Sequence, residues 1–304
     1  KTAYELMPSL VGSEMCIRDR GTSPGLAQYG ARDGEWRSYA GDHGSTKYAP
    51  LDQIDADNFS DLRIAWRWRS VDGTVDLETL RQDDSPVSIL GMQATPLMIK
   101  GVIYLSTAMY QVAALDAGTG ETLWVHDPEG YLGGRPTHGY GSRGIEYWSD
   151  ETGADQRIFW GTSEGYLHAV NALTGDPILD FGDNGRVDLT EDIPRATRGD
   201  TNYQGRNLLQ VKSPPVALRD IVVTPTIISD FVVRKEAPPG WLKGIDARTG
   251  ETRWTFRTVP QADDFGVGGR HSISPTRTPV RSSCSSVIRG RSIPSQARSE
   301  AGPA

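Results

Sequence analysis

Three runs of strand-forming residues lie between turn-forming residues in the middle of the chain. They are residues 95–107 (TPLMIKGVIYLST), 157–162 (RIFWGT) and 215–228 (PVALRDIVVTPTII). Runs of this kind, rich in Val, Ile, Thr and aromatic residues, predict β-strands. The first and third runs each hold turn-forming residues inside them, which predicts a strand, a turn and a second strand.

A repeated turn follows each of these runs. The copies are ALDAGTGETLW at 114–124 and GIDARTGETRW at 244–254, with a less regular copy, AVNALTGD, at 169–176. In each copy an Asx side chain can accept hydrogen bonds from backbone N–H groups two residues further on. The glycine that follows Thr supplies the positive φ that such a turn often requires. The Asx residues are Asp116, Asn171 and Asp246, and the glycines are Gly120, Gly175 and Gly250.

The repeating unit predicts a sheet of a β-propeller. Each unit reads as strand, turn, strand, repeated turn and then a strand that ends in Trp, with Trp124 and Trp254 at equivalent, largely buried sites in successive sheets. The turn glycines lie 55 and then 75 residues apart, so insertions vary while the unit is kept. Radially stacked four-stranded sheets fit this spacing. The alternative is three unrelated hairpins in a β-sandwich.

Composition agrees with an all-β fold and excludes several classes of protein. The 304 residues include 34 Gly, 19 Pro, 8 Trp and 11 Tyr, which favours a turn-rich β protein over a helical bundle. Apolar residues at 37% and charged residues at 23% exclude collagen-like and wholly disordered chains. The net charge of −7 argues against general nucleic-acid binding. No apolar stretch approaches the length of a membrane span.

The two ends differ from the middle in composition. Residues 270–304 contain six Arg, nine Ser and no aromatic residue, so we expect a disordered or frame-shifted tail; the alternative is a basic tail that binds an anionic partner. The chain starts at Lys1 rather than Met, and SLVGSEMCIRDR within 1–20 resembles translated adapter sequence. We therefore expect a non-native or disordered lead at 1–20 and a propeller region at 21–269. Both cysteines, Cys16 and Cys284, lie in these ends, and two cysteines form neither a disulfide framework nor a structural zinc site.

The repeat resembles the tryptophan-docking motif of the quinoproteins, eight-bladed propellers that bind pyrroloquinoline quinone (PQQ). Four further segments are similar to glucose-type PQQ dehydrogenases. They are 36–54, followed by Asn58 and an expected Ala65–Trp66 strand; 91–97, like a first blade strand; 142–148, like a cofactor-facing loop; and 229–240. The resemblance covers 36 to about 266. It implies a partial eight-bladed quinoprotein-type β-propeller of about three blades.

The same resemblance implies a cofactor and a metal. Arg143 matches an arginine that approaches the oxygens of PQQ, Gln93 stands where many relatives have a carboxylate-binding glutamate, and Thr162 matches a cofactor-binding threonine. Asp230 matches an acidic ligand of Ca²⁺ or Mg²⁺, while Phe231 follows where relatives often have Asn. Each residue also has an alternative role without a cofactor. These roles are a solvated loop arginine for Arg143, an ordinary strand glutamine for Gln93, a strand threonine for Thr162 and a turn-capping aspartate for Asp230.

The expected activity is oxidation of a sugar, polyol or alcohol by hydride transfer to a metal-bound quinone. Electrons then pass to ubiquinone or a cytochrome, and the expected location is the periplasm, with membrane association left open. Thr137 and His138 replace the vicinal disulfide of the family's alcohol dehydrogenases, which favours the sugar or polyol branch. No residue matches the family's catalytic base, so the chain as written is expected to be inactive. The alternative function is a non-catalytic propeller scaffold for protein binding.

Overall fold

A computed structural model describes most of the middle of the chain. The described residues are 34–80, 87, 89–136, 139–196, 207–228, 237–259 and 274–275. Within them the regular structure is almost entirely β, with three short 3₁₀ helices at Phe59–Asp61, Val71–Thr74 and Leu77–Leu80. The helices in these ranges lack the length and apolar content to traverse a bilayer. The all-β expectation is confirmed.

The first two sheets are four-stranded antiparallel meanders. The first contains β1 (Leu97–Ile99), β2 (Val102–Ser106), β3 (Val112–Asp116) and β4 (Thr122–His126), in that order. The second contains β5 (Glu146–Ser149), β6 (Gln156–Gly161), β7 (Tyr166–Asn171) and β8 (Arg186–Asp188), again in chain order. Each sheet has the topology of one propeller blade.

The third sheet repeats this order and gains a short fifth strand. A two-residue strand, β9 (Leu209–Gln210), precedes it. The sheet contains β10 (Val216–Leu218), β11 (Ile221–Pro225), β13 (Trp241–Asp246), β14 (Thr252–Arg257) and β15 (Ser274–Pro275). Between β11 and β13 the chain forms β12 (Ile227–Ile228), which pairs with β9. Apart from 274–275, the expected lead at 1–20 and tail at 270–304 lie outside the described residues, as do both cysteines.

The repeated turns share one hydrogen-bond pattern. Asp116 Oδ1 accepts from the backbone N–H groups of Gly118 at 3.0 Å and Thr119 at 2.8 Å, and the Gly120 N–H closes the turn onto the Asp116 carbonyl at 2.8 Å. Gly120 has a φ of +73°. The same bonds recur in the other two turns, which begin at Asn171 and Asp246. The turn prediction is confirmed at all three positions.

Tryptophan docking joins one sheet to the next. The Trp124 indole N–H donates to the Ala172 carbonyl of the second sheet at 3.1 Å, and its ring covers Gly175. A Cβ at Gly175 would lie 2.7 Å from a ring atom, so only glycine leaves room for the ring. Trp66 docks on the first sheet in the same way, donating to the Ala117 carbonyl at 3.1 Å. Each ring thereby seals the turn of the following blade.

Trp124 and Trp254 have equivalent register but different packing. They pair with Ala114 and Gly244, and each lies beside a register shift in its sheet. Both are partly buried, with more of each residue covered than exposed, which agrees with the expectation of largely buried sites. The Trp254 ring lies over Gly244 of its own sheet. A docking tryptophan is buried by the turn of the next sheet, and the described residues supply such a turn to Trp124 alone of the pair.

Two sequence expectations about strands are corrected. No strand forms at Ala65–Trp66, where the chain runs without regular structure and Trp66 docks instead. Of residues 91–97, only Leu97 belongs to a strand. Pro96 has no N–H to contribute to a ladder, and Gly91 has a φ of +76°, so the preceding residues depart from strand geometry.

The core lies between the sheets. Leu97 and Val112 of the first sheet pack with Ile158 and Trp160 of the second. A second cluster joins the second sheet to the third and includes Phe159, Leu167, Phe181, Val222 and Ile245. Side chains from facing sheets thus interdigitate, which fixes the relative positions of the loops at their ends.

Candidate cofactor-binding site

The segment that follows β9 brings two predicted site residues together. The Val211 N–H donates to the Thr162 carbonyl at 3.0 Å, and the Arg143 N–H donates to the Lys212 carbonyl at 3.0 Å. Because Val211 and Lys212 are consecutive, the loops that carry Arg143 and Thr162 flank the same stretch of backbone. The structure therefore places Arg143 and Thr162 at one site.

Thr162 carries an unsatisfied hydroxyl group. It is the first residue after β6, in a turn that the Gly165 N–H closes on the Thr162 carbonyl at 3.2 Å. The side chain is 0% exposed, and among the described residues its Oγ1 has no hydrogen-bond partner. Leaving a buried hydroxyl unpaired costs roughly 1–3 kcal/mol, so Thr162 Oγ1, like several other buried polar atoms, is available to a partner outside the described residues. Thr162 is thus a turn residue, and the alternative of a strand threonine is wrong.

Arg143 extends from a fixed backbone with a free side chain. The preceding residue, Ser142, bonds through its hydroxyl to the Ser106 hydroxyl at 2.8 Å, which anchors the loop to β2. Arg143 itself is exposed, and its guanidinium makes no hydrogen bond or ion pair within the described residues. The predicted cofactor-facing loop at 142–148 is a loop only as far as Ile145, because the residues from Glu146 onward form β5. An exposed guanidinium on an anchored loop can receive a planar anion.

Lys212 is a site residue that sequence reasoning missed. Its side chain is 4% exposed and forms no hydrogen bond or ion pair with the described residues. Burial, together with the nearby charge of Arg143, lowers the pKa of Lys212 below its ordinary value. A Cβ on Gly141 would lie 3.4 Å from Nζ, so the lysine packs closely on that glycine. The available signal was a single lysine inside the apolar run LLQVKSPPVAL.

Gln210 adds a second unsatisfied side chain to this segment. It is fully buried, and neither its Oε1 nor its Nε2 has a partner within the described ranges. It lies two positions before Lys212 on the same short segment. Gln210 and Thr162 carry unpaired buried polar groups and Lys212 a positive charge, on or beside one short segment of the described chain. Such an arrangement suits a ligand that carries several anionic oxygens.

The other two predicted residues are not joined to this cluster by any described contact. Gln93 is exposed and precedes β1, which excludes the alternative of a strand glutamine. Its neighbour Thr95 approaches the loop, with its carbonyl oxygen 3.8 Å from where a Cβ on Gly144 would be. Asp230 lies outside the described residues. Across the described ranges, no group of three or more His, Cys, Asp or Glu side chains is arranged to hold a metal ion.

Residues 36–280 match the family model for the β-propeller domain of PQQ-dependent glucose, ethanol and alcohol dehydrogenases. The chain belongs to this quinoprotein dehydrogenase family. The resemblance seen in the sequence is confirmed, and the matched range continues beyond residue 266 to residue 280. The unsatisfied cluster fits the cofactor that names the family, because PQQ carries three carboxylates and two quinone oxygens and the cluster offers cations and hydrogen-bond donors.

Curated members of the family are similar over most of this chain. Quinoprotein glucose dehydrogenase A of Acinetobacter calcoaceticus is 31% identical over 245 residues, which cover 75% of this chain and 28% of that protein. The dehydrogenase subunit of the quinone-dependent alcohol dehydrogenase of Gluconobacter oxydans is 29% identical over 81% of this chain and 28% of that protein. The chain thus spans about 28% of the length of these relatives.

Solved quinoprotein structures confirm the propeller fold. The quinohemoprotein alcohol dehydrogenase from Comamonas testosteroni superposes with a TM-score of 0.55 at 25% identity, over 76% of this chain and 28% of that one. A europium-containing methanol dehydrogenase gives a TM-score of 0.52 at 19% identity, over 74% of this chain and 32% of that one. The three sheets are therefore blades of a quinoprotein-type propeller.

Proposed function

We propose that this chain forms a PQQ-binding part of a dehydrogenase that oxidises a sugar, polyol or alcohol. The observation that carries the proposal is the cluster at Arg143, Thr162 and Lys212. It combines a buried hydroxyl that has no partner within the described residues with an ammonium that has no acceptor among them and lies near Arg143, in a PQQ-family propeller. When bound, PQQ supplies an ortho-quinone that accepts a hydride from the substrate.

Each of the four predicted site residues has a binding role in this proposal. The planar fork of Arg143 donates two parallel hydrogen bonds to a carboxylate or to adjacent oxygens of the cofactor. Thr162 Oγ1, which has no partner among the described residues, donates one hydrogen bond to the cofactor. The Gln93 amide donates to a carboxylate without sharing a proton, as a glutamate must. Asp230 provides a hard oxygen ligand for Ca²⁺ or Mg²⁺.

The proposed substrate is a sugar or polyol. The chain has Thr137 and His138 where the family's alcohol dehydrogenases carry a vicinal disulfide. Relatives include enzymes named for glucose, for alcohol and for quinate and shikimate. Several are named as quinone-dependent, which supports a quinone acceptor, with a cytochrome as the other choice. The proposed location is the periplasm.

Measuring Ca²⁺ and PQQ binding side by side tests whether Asp230 is a metal ligand. Equilibrium dialysis measures Ca²⁺ and PQQ binding to the wild-type chain and to Asp230→Ala, and the exposed Asp220→Ala serves as a control. We expect Asp230→Ala to weaken both ligands together, since the cation's charge also holds the anionic cofactor. Unchanged Ca²⁺ affinity in Asp230→Ala would show that Asp230 is not a metal ligand and favour the turn-capping alternative. A wild-type chain that binds no PQQ would favour the scaffold alternative.

A further inference from the structure

We propose that Lys212 is an additional cofactor-binding residue whose ammonium group pairs with a carboxylate of bound PQQ beside Arg143. This inference rests on the proposed function, because it assigns a ligand group to a residue of the same site. Neither the family resemblance nor the sequence motifs single out Lys212. Its burial and its surroundings carry the argument.

The chain contains a second buried lysine that shows how a folded protein satisfies such a charge. Lys243 is 2% exposed, and its ammonium donates to the Glu191 backbone carbonyl. The acidic side chains of Asp188, Glu191 and Asp192 also raise the pKa of Lys243, although burial outweighs them and lowers it. Lys243 is therefore held by acceptors that the protein itself supplies.

Lys212 is buried to a similar degree with none of this compensation. Among the described residues its ammonium has neither a hydrogen-bond acceptor nor an acid partner, and the charge that acts on it is the like charge of Arg143. Partly desolvating an ammonium without a counter-charge is unfavourable, and because Nζ is not among the fully enclosed polar atoms a ligand can reach it. A bound anion would remove this cost, which is why an anionic ligand accounts for the lysine.

A backbone hydrogen bond keeps Arg143 and Lys212 adjacent. The Arg143 N–H donates to the Lys212 carbonyl, so separating the residues would break that bond. Gly141 lies against Nζ and leaves the lysine room where a larger residue would crowd it. The two residues thus carry neighbouring positive charges, which suits a ligand with more than one carboxylate, and PQQ carries three.

The first test compares matched buried lysines. Equilibrium dialysis gives the dissociation constant of PQQ for the wild-type chain, for Lys212→Met and for the control Lys243→Met. We expect Lys212→Met to weaken binding about tenfold or more, as loss of a charge-assisted hydrogen bond does. Lys243→Met should leave the constant unchanged, and Lys212→Arg should restore much of the affinity because it keeps the charge.

The second test reads the charge on Lys212 directly. The chain has six lysines, so ¹³C-lysine labelling gives few Cε resonances, and loss of one signal in Lys212→Met assigns it. Titration should show that the pKa of Lys212 lies below the ordinary value for a lysine and rises when PQQ is added. The Lys243 signal should not respond to PQQ.

The outcomes separate this inference from the proposed function. If the wild-type chain binds no PQQ, the proposed function fails and this inference fails with it. If the wild-type chain binds PQQ, and Lys212→Met binds equally well without a PQQ-dependent shift of the Lys212 resonance in the wild type, only the role of Lys212 is overturned.

Discussion

Arg143 combines a fixed backbone with a side chain that has no partner among the described residues. The resemblance of the sequence identified this residue, because the motif around it is local and continuous. Lys212 could not be found in the same way. Its burial depends on Gly141 and Arg143, which are about 70 positions away in the sequence and reach it only when the second and third sheets pack.

Replacing Arg143 tests whether geometry matters beyond charge. We expect Arg143→Lys to weaken PQQ binding by roughly tenfold, because an ammonium cannot form the paired hydrogen bonds of a planar fork. Quenching of tryptophan fluorescence by added PQQ measures the affinity. The control is Arg219→Lys, on the turn between β10 and β11. Equal affinities for Arg143→Lys and the wild type would show that Arg143 is a solvated loop residue.

Glu146 is a buried acid whose titration affects stability. Its side chain is 1% exposed, and its Oε1 accepts the Ala217 N–H at 3.0 Å and lies 3.3 Å from His43 Nε2. Burial raises the pKa of Glu146 above 4.5, and the hydrogen bond to Glu146 raises the pKa of His43 above 6.5, with Asp42 adding to the effect. Both groups hold protons more tightly when folded, so both contributions to stability are lost as pH rises.

The Glu146→Gln variant should not show this pH-dependent loss of stability, because glutamine does not titrate. The wild type should lose stability relative to the variant as the pH rises from 4.5 to the folded pKa of Glu146. It should lose more as the pH rises above 6.5 and His43 loses its proton. Urea unfolding across this pH range measures the difference, with the exposed Glu151→Gln as the control. A difference between wild type and Glu146→Gln that does not change with pH would contradict the assignment.

The docking turns are the elements that the sequence predicted best. The Asx–Thr–Gly pattern is local, since each side chain bonds to backbone only two or three residues away. Docking is not local. Trp66 lies outside any repeat copy, and only the packing of its ring over Gly120 reveals its role. The packing of the Trp254 ring on Gly244 of its own sheet was not predictable for the same reason, because docking depends on the turn of a neighbouring sheet.

Alanine substitutions at two glycines separate the cost of backbone strain from the cost of displacing a docked tryptophan ring. Gly175 and Gly153 have φ values of +77° and +73°, but Gly175 lies under the Trp124 ring and Gly153 has open space around it. Gly153→Ala should cost about 1–2 kcal/mol of unfolding free energy from the left-handed conformation alone. Gly175→Ala should cost about 1–3 kcal/mol more because the methyl group displaces the ring. Urea unfolding compares them, and equal losses would contradict the docking interpretation.

At the scale of the whole molecule, packing of the described blades brings three loops to the proposed cofactor-binding cluster. Inter-sheet packing holds Arg143, Thr162 and Lys212 around one short segment, although they belong to different loops. The family and the blade topology were predictable because they depend on repeated local motifs. The composition of the cluster was only partly predictable, because it depends on which loops the packed sheets bring together.

A crystal structure of the chain grown with PQQ and Ca²⁺ is the most direct test of the central claim. We predict PQQ density beside the segment after β9, with carboxylate oxygens about 3 Å from the Arg143 guanidinium and the Lys212 ammonium. Thr162 Oγ1 should donate a hydrogen bond to the same molecule. PQQ bound elsewhere, or crystals in which water alone surrounds these three side chains at saturating PQQ, would contradict the account.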